Sequence, residues 1–340
     1  MFPFRFHKDN DDKESENKLV QKEEKIKKKN KDKPRQWTKK DRYILLSVIA
    51  LTTLTSTFLG LTAREWKLPN FPRLSLPTIN LEEKYVISKE KKENFDEVVK
   101  LIKDTTHNLS GVYGVYVSRL DGSGSYGIYE KEVFTAASLI KLPLLITLYK
   151  EAEEGRINLE EKYTLKDSDK IAGAGSLYYK PAGTVLTLRQ LARYMGKESD
   201  NTAFGIVRKV LGDEKINKVV EELGMEKTSL GENKTTPKDI AQLFTRLWNN
   251  TFISKKSREE ILEFLTDTSF ESWISKGVPK GIRVAHKYGR EVHVVNDAGI
   301  VFTDQPYIVV ILSKGVVESE ADAIFPELSR IIYEFEVVSR

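Results

Sequence analysis

Cysteine is absent from the 340 residues, which excludes a disulfide framework, a thiolate metal site, a cysteine nucleophile and a diacylglyceryl-cysteine anchor. Histidine is scarce, and His7, His107, His286 and His293 are too scattered for a zinc cluster. No metal and no cofactor is expected, so acid–base chemistry falls to Lys, Ser, Tyr and carboxylates. His286 reads as a structural strand residue and His293 as a surface one. A general basic surface is also missing. Of 55 basic and 50 acidic residues, 15 and 9 lie in residues 1–42, leaving 40 and 41 for the rest. The net charge of +5 belongs to a tail, and it gives no support to a nucleic-acid partner.

What is present divides the chain. Residues 1–42 hold basic runs with few aliphatics and no apolar period, which predicts a disordered cytoplasmic tail. Residues 43–63 carry no charge over 21 positions, long enough as a helix to span a hydrocarbon core of about 30 Å. A single-pass signal anchor is expected there, although seven of the 21 are Ser or Thr. Lys39, Lys40 and Arg42 on its N-terminal flank outweigh Arg64 and Lys67 on the other. The positive-inside rule then places the tail in the cytoplasm and the remainder outside the cell membrane. Residues 64–89, with Pro69, Pro72 and Pro77, read as an extended linker.

From about residue 90 the chain reads as a globular domain. Phe95, Val98, Val99 and Ile102 keep a helical period. Two strands follow, joined through Asp121-Gly122-Ser123-Gly124. A helical block runs from about residue 146 to 277, then three strands and a closing helix over 320–337. This order predicts an α+β fold: a five-stranded antiparallel sheet flanked by helices, an α/β/α sandwich interrupted by an all-helical part. The sheet part is residues 90–145 and 278–340.

Ser138-Leu139-Ile140-Lys141 places a lysine three residues after a serine in a helical, strongly apolar setting. Residues three apart share a helix face, so the amine reaches the hydroxyl, and a desolvated lysine can serve as its base. The spacing alone is weak, since it recurs at Ser15–Lys18 and Ser88–Lys91. Ser199-Asp200-Asn201 and then Lys287-Tyr288-Gly289 follow in order. Ser-x-x-Lys, Ser-Asp-Asn and Lys-Thr/Ser-Gly are the motifs of class A β-lactamases and penicillin-binding proteins. Over residues 90–340 the chain resembles that family, with further likeness in Thr235-Thr236-Pro237 and Asp297-Ala298-Gly299.

The resemblance implies Ser138 as nucleophile, Lys141 as its base and Ser199 as proton donor to the leaving nitrogen. It implies that Asn201 bonds the acyl amide and that Lys287, Tyr288 and Gly289 line the substrate site. It also implies an oxyanion hole from the backbone N–H groups of Ser138 and Arg290. Two departures stand out. Tyr288 occupies the place of a small hydroxyl residue, and the Glu-x-x-Leu-Asn set that supplies a deacylating base is missing. The loop before Thr235 is about fifteen residues short of that pattern, and Glu232 is the one carboxylate nearby. The implied function is a membrane-anchored, monomeric serine hydrolase that opens β-lactam rings through an acyl-serine and deacylates slowly. The alternatives are a D-alanyl-D-alanine peptidase or esterase acting on peptidoglycan peptides, and a non-catalytic cell-surface binding domain.

Overall fold

The computed structural model describes residues 39–62 and 95–338. The chain divides into two units between Thr78 and Ile79, taken here one at a time. The tail before Lys39 and the linker lie outside the described residues, as does the start of the helix expected from residue 90.

Among the described residues of the first unit, α1 (Lys39–Thr62) covers the uncharged stretch as far as Thr62. Among the described residues, no helix is long and apolar enough to cross a membrane, so the expected span finds no support here. The helix is rich in hydroxyl side chains. Those hydroxyls turn inward to their own helix: Thr52 and Thr53 each donate to carbonyls of the preceding turn at 2.9 Å, and Ser47 and Thr55 do so at 2.8 Å.

The second unit begins with α2 (Phe95–Thr106), followed by β1 (Val112–Arg119), β2 (Ser125–Ile128) and the two-residue β3 (Phe134–Thr135). A 3₁₀ turn (Ala137–Ile140) runs directly into α3 (Lys141–Glu153). Next come β4 (Lys162–Thr164), β5 (Val185–Thr187), α4 (Leu188–Lys197), α5 (Asn201–Leu211), α6 (Asp213–Glu222), β6 (Lys234–Thr235), α7 (Pro237–Trp248) and α8 (Lys255–Phe264). The short α9 (Ile274–Gly277), β7 (Arg283–Glu291), β8 (Val294–Phe302), β9 (Tyr307–Lys314) and α10 (Glu318–Val338) complete it.

The main sheet has the order β2-β1-β9-β8-β7 with every pairing antiparallel, as the strand pattern implied. Two small ribbons, β3–β6 and β4–β5, escaped the sequence reading because runs of two or three residues carry no readable alternation. The main strands bury both faces. Val115, Val117, Val309 and Ile311 pack under α2 and α10, while Ala285, Ala298, Ile308 and Val310 pack under the helical part. The apolar stripe of α2, Phe95, Val98, Val99 and Ile102, is fully buried, and each such side chain contributes about 1.5–3 kcal/mol.

Three consequences fix the site. β7 is the edge strand on one side of the sheet, so half of its backbone N–H groups point off the sheet. The 3₁₀ turn packs against that edge. Pro143 falls in the first turn of α3, where its missing N–H removes no helical bond.

Candidate active site

Ser138 lies in the 3₁₀ turn and Lys141 opens α3. Side chains three apart eclipse in a 3₁₀ turn, and Lys141 Nζ stands 3.0 Å from Ser138 Oγ. The turn is entered through Ala137 with φ 48°, a left-handed conformation rare for a residue with a Cβ. Buried Asn296 anchors that entry. Its side-chain amide donates to the carbonyls of Thr135 at 2.8 Å and Ala136 at 3.2 Å, while its oxygen accepts the Ser313 N–H at 3.0 Å. Nothing in the spacing of motifs pointed to Asn296.

The Lys141 ammonium also reaches Ser199 Oγ at 3.2 Å, the Ser199 carbonyl, and Asn201 Oδ1 at 2.8 Å. The residue is 2% exposed. Burial holds its pKa down at about 8, against a smaller upward pull from the Asp200 carboxylate. A substantial free-amine population near neutral pH follows, as a general base requires.

Asp200 holds the second motif in place. It caps α5 by accepting the Ala203 N–H at 2.8 Å, and its other oxygen accepts the Leu177 N–H at 2.8 Å. The loop carrying Leu177 comes so close that a Cβ on Gly175 would lie 2.1 Å from Asp200 Oδ2. Ser199, just before the cap, is buried with φ 56°. The motif thus caps the helix and also aims Ser199 and Asn201 at Lys141; the cap alone does not account for it.

On β7, Lys287 is fully buried. Burial first, then the like charge of Lys141, push its pKa well below the ordinary lysine value. Its Nζ donates to the Tyr288 carbonyl at 2.8 Å and sits 4.2 Å from the centre of the Tyr288 ring. The resemblance implies that Lys287 lines the substrate site and supplies positive potential to a substrate carboxylate; its amine lies beneath an aromatic ring. That ring packs on Phe270 at 5.1 Å and Trp273 at 6.4 Å. Burial, followed by the fields of Glu198, Asp297 and Glu271, raises the Tyr288 phenol to about 12.

Gly289 lets β7 approach the nucleophile, since a Cβ there would be 2.7 Å from Ser138 N. The His286 N–H points off the sheet to the Leu265 carbonyl at 2.8 Å. The two-residue repeat of a strand directs the Arg290 N–H off the same edge, toward the Ser138 turn. The Arg290 guanidinium is turned away, paired with Asp322 and 5.2 Å from the Trp273 ring.

Glu232 is not brought to this cluster. It is exposed, 2.7 Å from Lys234 Nζ, and that hydrogen bond lowers its pKa. Tyr178 and Tyr179 are exposed and meet edge to face at 5.1 Å. His286 is buried with Nδ1 2.7 Å from Asp297 and Nε2 3.2 Å from Glu271. Its pKa reaches about 9, the two carboxylates outweighing the larger opposing effect of burial. Among the described residues no group of three or more His, Asp or Glu side chains is placed to hold a metal ion. A cavity of about 800 Å³ between α2 and β1–β2, lined by Val99, Lys103 and Tyr113 among others, touches none of these residues.

Residues 96–335 match the model of the Beta-lactamase enzyme family. Beta-lactamase VEB-1 of Pseudomonas aeruginosa is 27% identical over 194 residues, 49% of this chain and 65% of that protein. The match therefore spans less than two thirds of that relative's length. A mutant of PBP-A, solved as its acyl-enzyme complex with penicillin G, superposes with a TM-score of 0.67 at 29% identity, covering 71% of this chain and 97% of that one. The beta-lactamase of Sphaerobacter thermophilus gives a TM-score of 0.68 at 25% identity, covering 72% and 98%.

Proposed function

The chain belongs to the beta-lactamase enzyme family, and on that footing we propose that it is a serine hydrolase that opens β-lactam rings through an acyl-enzyme on Ser138. The observation that carries this reading is the convergence of Ser138 Oγ, Ser199 Oγ and Asn201 Oδ1 on one buried, pKa-depressed amine, that of Lys141. Ser138 Oγ attacks the carbonyl carbon while Lys141 takes its proton. The Ser138 and Arg290 N–H groups receive the developing oxyanion, each donor being worth on the order of 10²–10³ in rate. The C–N bond then breaks as Ser199 delivers a proton to nitrogen, and Lys141 restores that proton. Asn201, tied to Lys141 and to the Ala172 carbonyl, offers its amide to the acyl chain. The penicillin G acyl-enzyme of the PBP-A mutant supports the acylation half.

Deacylation is slow in this proposal. Glu232 is engaged at the surface with Lys234, and no carboxylate among the described residues hydrogen-bonds Ser138. Intact-mass spectra of the purified protein mixed with penicillin G are expected to show a long-lived adduct that Ser138→Ala abolishes. Rapid multiple turnover would refute the slow step, and absence of any adduct would refute acylation. D-alanine release from a cell-wall peptide, outpacing cephalosporin turnover, would favour the peptidase reading.

Attachment of a monomer to the cell membrane through residues 43–63, with the enzyme outside, is part of the proposal. It is supported by the uncharged run, its internally bonded hydroxyls and the basic flank. Recovery of the full chain in the carbonate-washed membrane fraction, with its C-terminal part open to protease on intact cells, is the expected result.

A further inference from the structure

The edge of the site facing β7 carries two basic side chains, and both are already engaged. Lys287 is 0% exposed; the Tyr288 ring covers its amine at 4.2 Å and its hydrogen bond goes to the Tyr288 carbonyl. Arg290 is paired with Asp322 over the Trp273 ring. Phe270 and Trp273 hold the Tyr288 ring in place, so uncovering Lys287 would mean breaking an aromatic cluster. The field of Glu198 reaches the Tyr288 phenol, and Glu198 is itself fixed by the Ser176 N–H at 2.9 Å. A carboxylate arriving here would lose water, meet a fixed negative charge and find neither basic group unengaged.

Resting on the acyl-transfer reading, we infer that this site prefers acyl donors with an uncharged leaving group, and that Tyr288 is the residue that turns anionic leaving groups away. β-Lactams with a ring carboxylate would acylate Ser138 more slowly than uncharged esters or thioesters of equal intrinsic reactivity. With a thioester, the bond from Ser138 Oγ to the carbonyl carbon forms, the carbon–sulfur bond breaks, and the Ser138 proton passes through Lys141 and Ser199 to the departing sulfur.

The test uses the full chain and two acylglycyl thioesters, one whose leaving thiol carries a carboxylate and one with a carboxamide in its place. The rate of Ser138 labelling by each is divided by that substrate's hydroxide-catalysed hydrolysis rate. The carboxamide is expected to win by at least about tenfold. Tyr288→Thr should shrink that ratio severalfold, and Tyr288→Phe, which keeps the ring over Lys287, should preserve it. Equal or faster labelling by the carboxylate in the unmodified protein would overturn the inference while leaving acyl transfer standing, as would an unchanged ratio in Tyr288→Thr. If neither thioester nor penicillin G labels Ser138, the acyl-transfer reading falls and this inference with it.

Discussion

In the proposed mechanism Lys141 is the base, and its titration gives a direct prediction. Burial depresses its pKa to about 8, and only the free amine can accept the Ser138 proton. The acylation rate should therefore rise with pH, bend near about 8 and level off above it. A profile flat from mildly acidic to alkaline pH would remove Lys141 as the base. Lys141→Arg keeps a cation but titrates far higher, so it should lower acylation by about 10²–10⁴, the usual worth of a positioned base, with the circular dichroism spectrum unchanged. Much of this was legible in sequence, because Ser138 to Lys141 and Ser199 to Asn201 are short segments whose geometry is local. The state of Lys287 was not. Motif order told that a lysine stood there, but the Tyr288 ring over its amine depends on Phe270 and Trp273, both supplied by the loop before α9, which carries no motif.

Among the elements, β7 shows how an edge strand becomes catalytic. In the proposed mechanism its outward N–H groups serve the nucleophile, and that requires Gly289 to let the 3₁₀ turn approach. Gly289→Ala would set a methyl 2.7 Å from Ser138 N and push the strand off the turn. Acylation should drop by about 10²–10³, the worth of one oxyanion donor, while the overpacking costs about 1–3 kcal/mol of stability and the protein stays folded at the assay temperature. Loss of fold with activity in proportion would count against that assignment. The long strands and helices were readable from their periods, and their order gave the sheet. β3, β6 and the 3₁₀ turn were not, since each is fixed by tertiary contacts: Phe134 against Thr235, Asn296 against the Thr135 and Ala136 carbonyls.

On the scale of the catalytic unit, α2 and α10, its first and last described helices, are fastened to one face of the sheet. Arg119 of β1 lies 3.0 Å from Glu336 of α10, with both side chains almost wholly buried, and its guanidinium stands 5.0 Å from the Phe95 ring of α2. Removing one partner takes away a buried, charge-assisted hydrogen bond, so Glu336→Leu should lower stability in urea unfolding by up to roughly 3–5 kcal/mol. Arg119→Met with Glu336→Leu should recover most of that loss; a double variant no more stable than the single one would contradict this account. The sheet itself closes late along the chain, because β1 finds its neighbour β9 only after the whole helical block has been made. Ser138, Lys141, Ser199 and Asn201 all precede that closure in sequence, whereas Gly289 and Arg290 lie on β7, after the helical block. During synthesis, a nascent chain can hold its nucleophile and base before it holds the donor that β7 is proposed to supply. An acyl label on Ser138 would then work as a census of finished molecules, marking those whose last strands have docked and passing over those still being built.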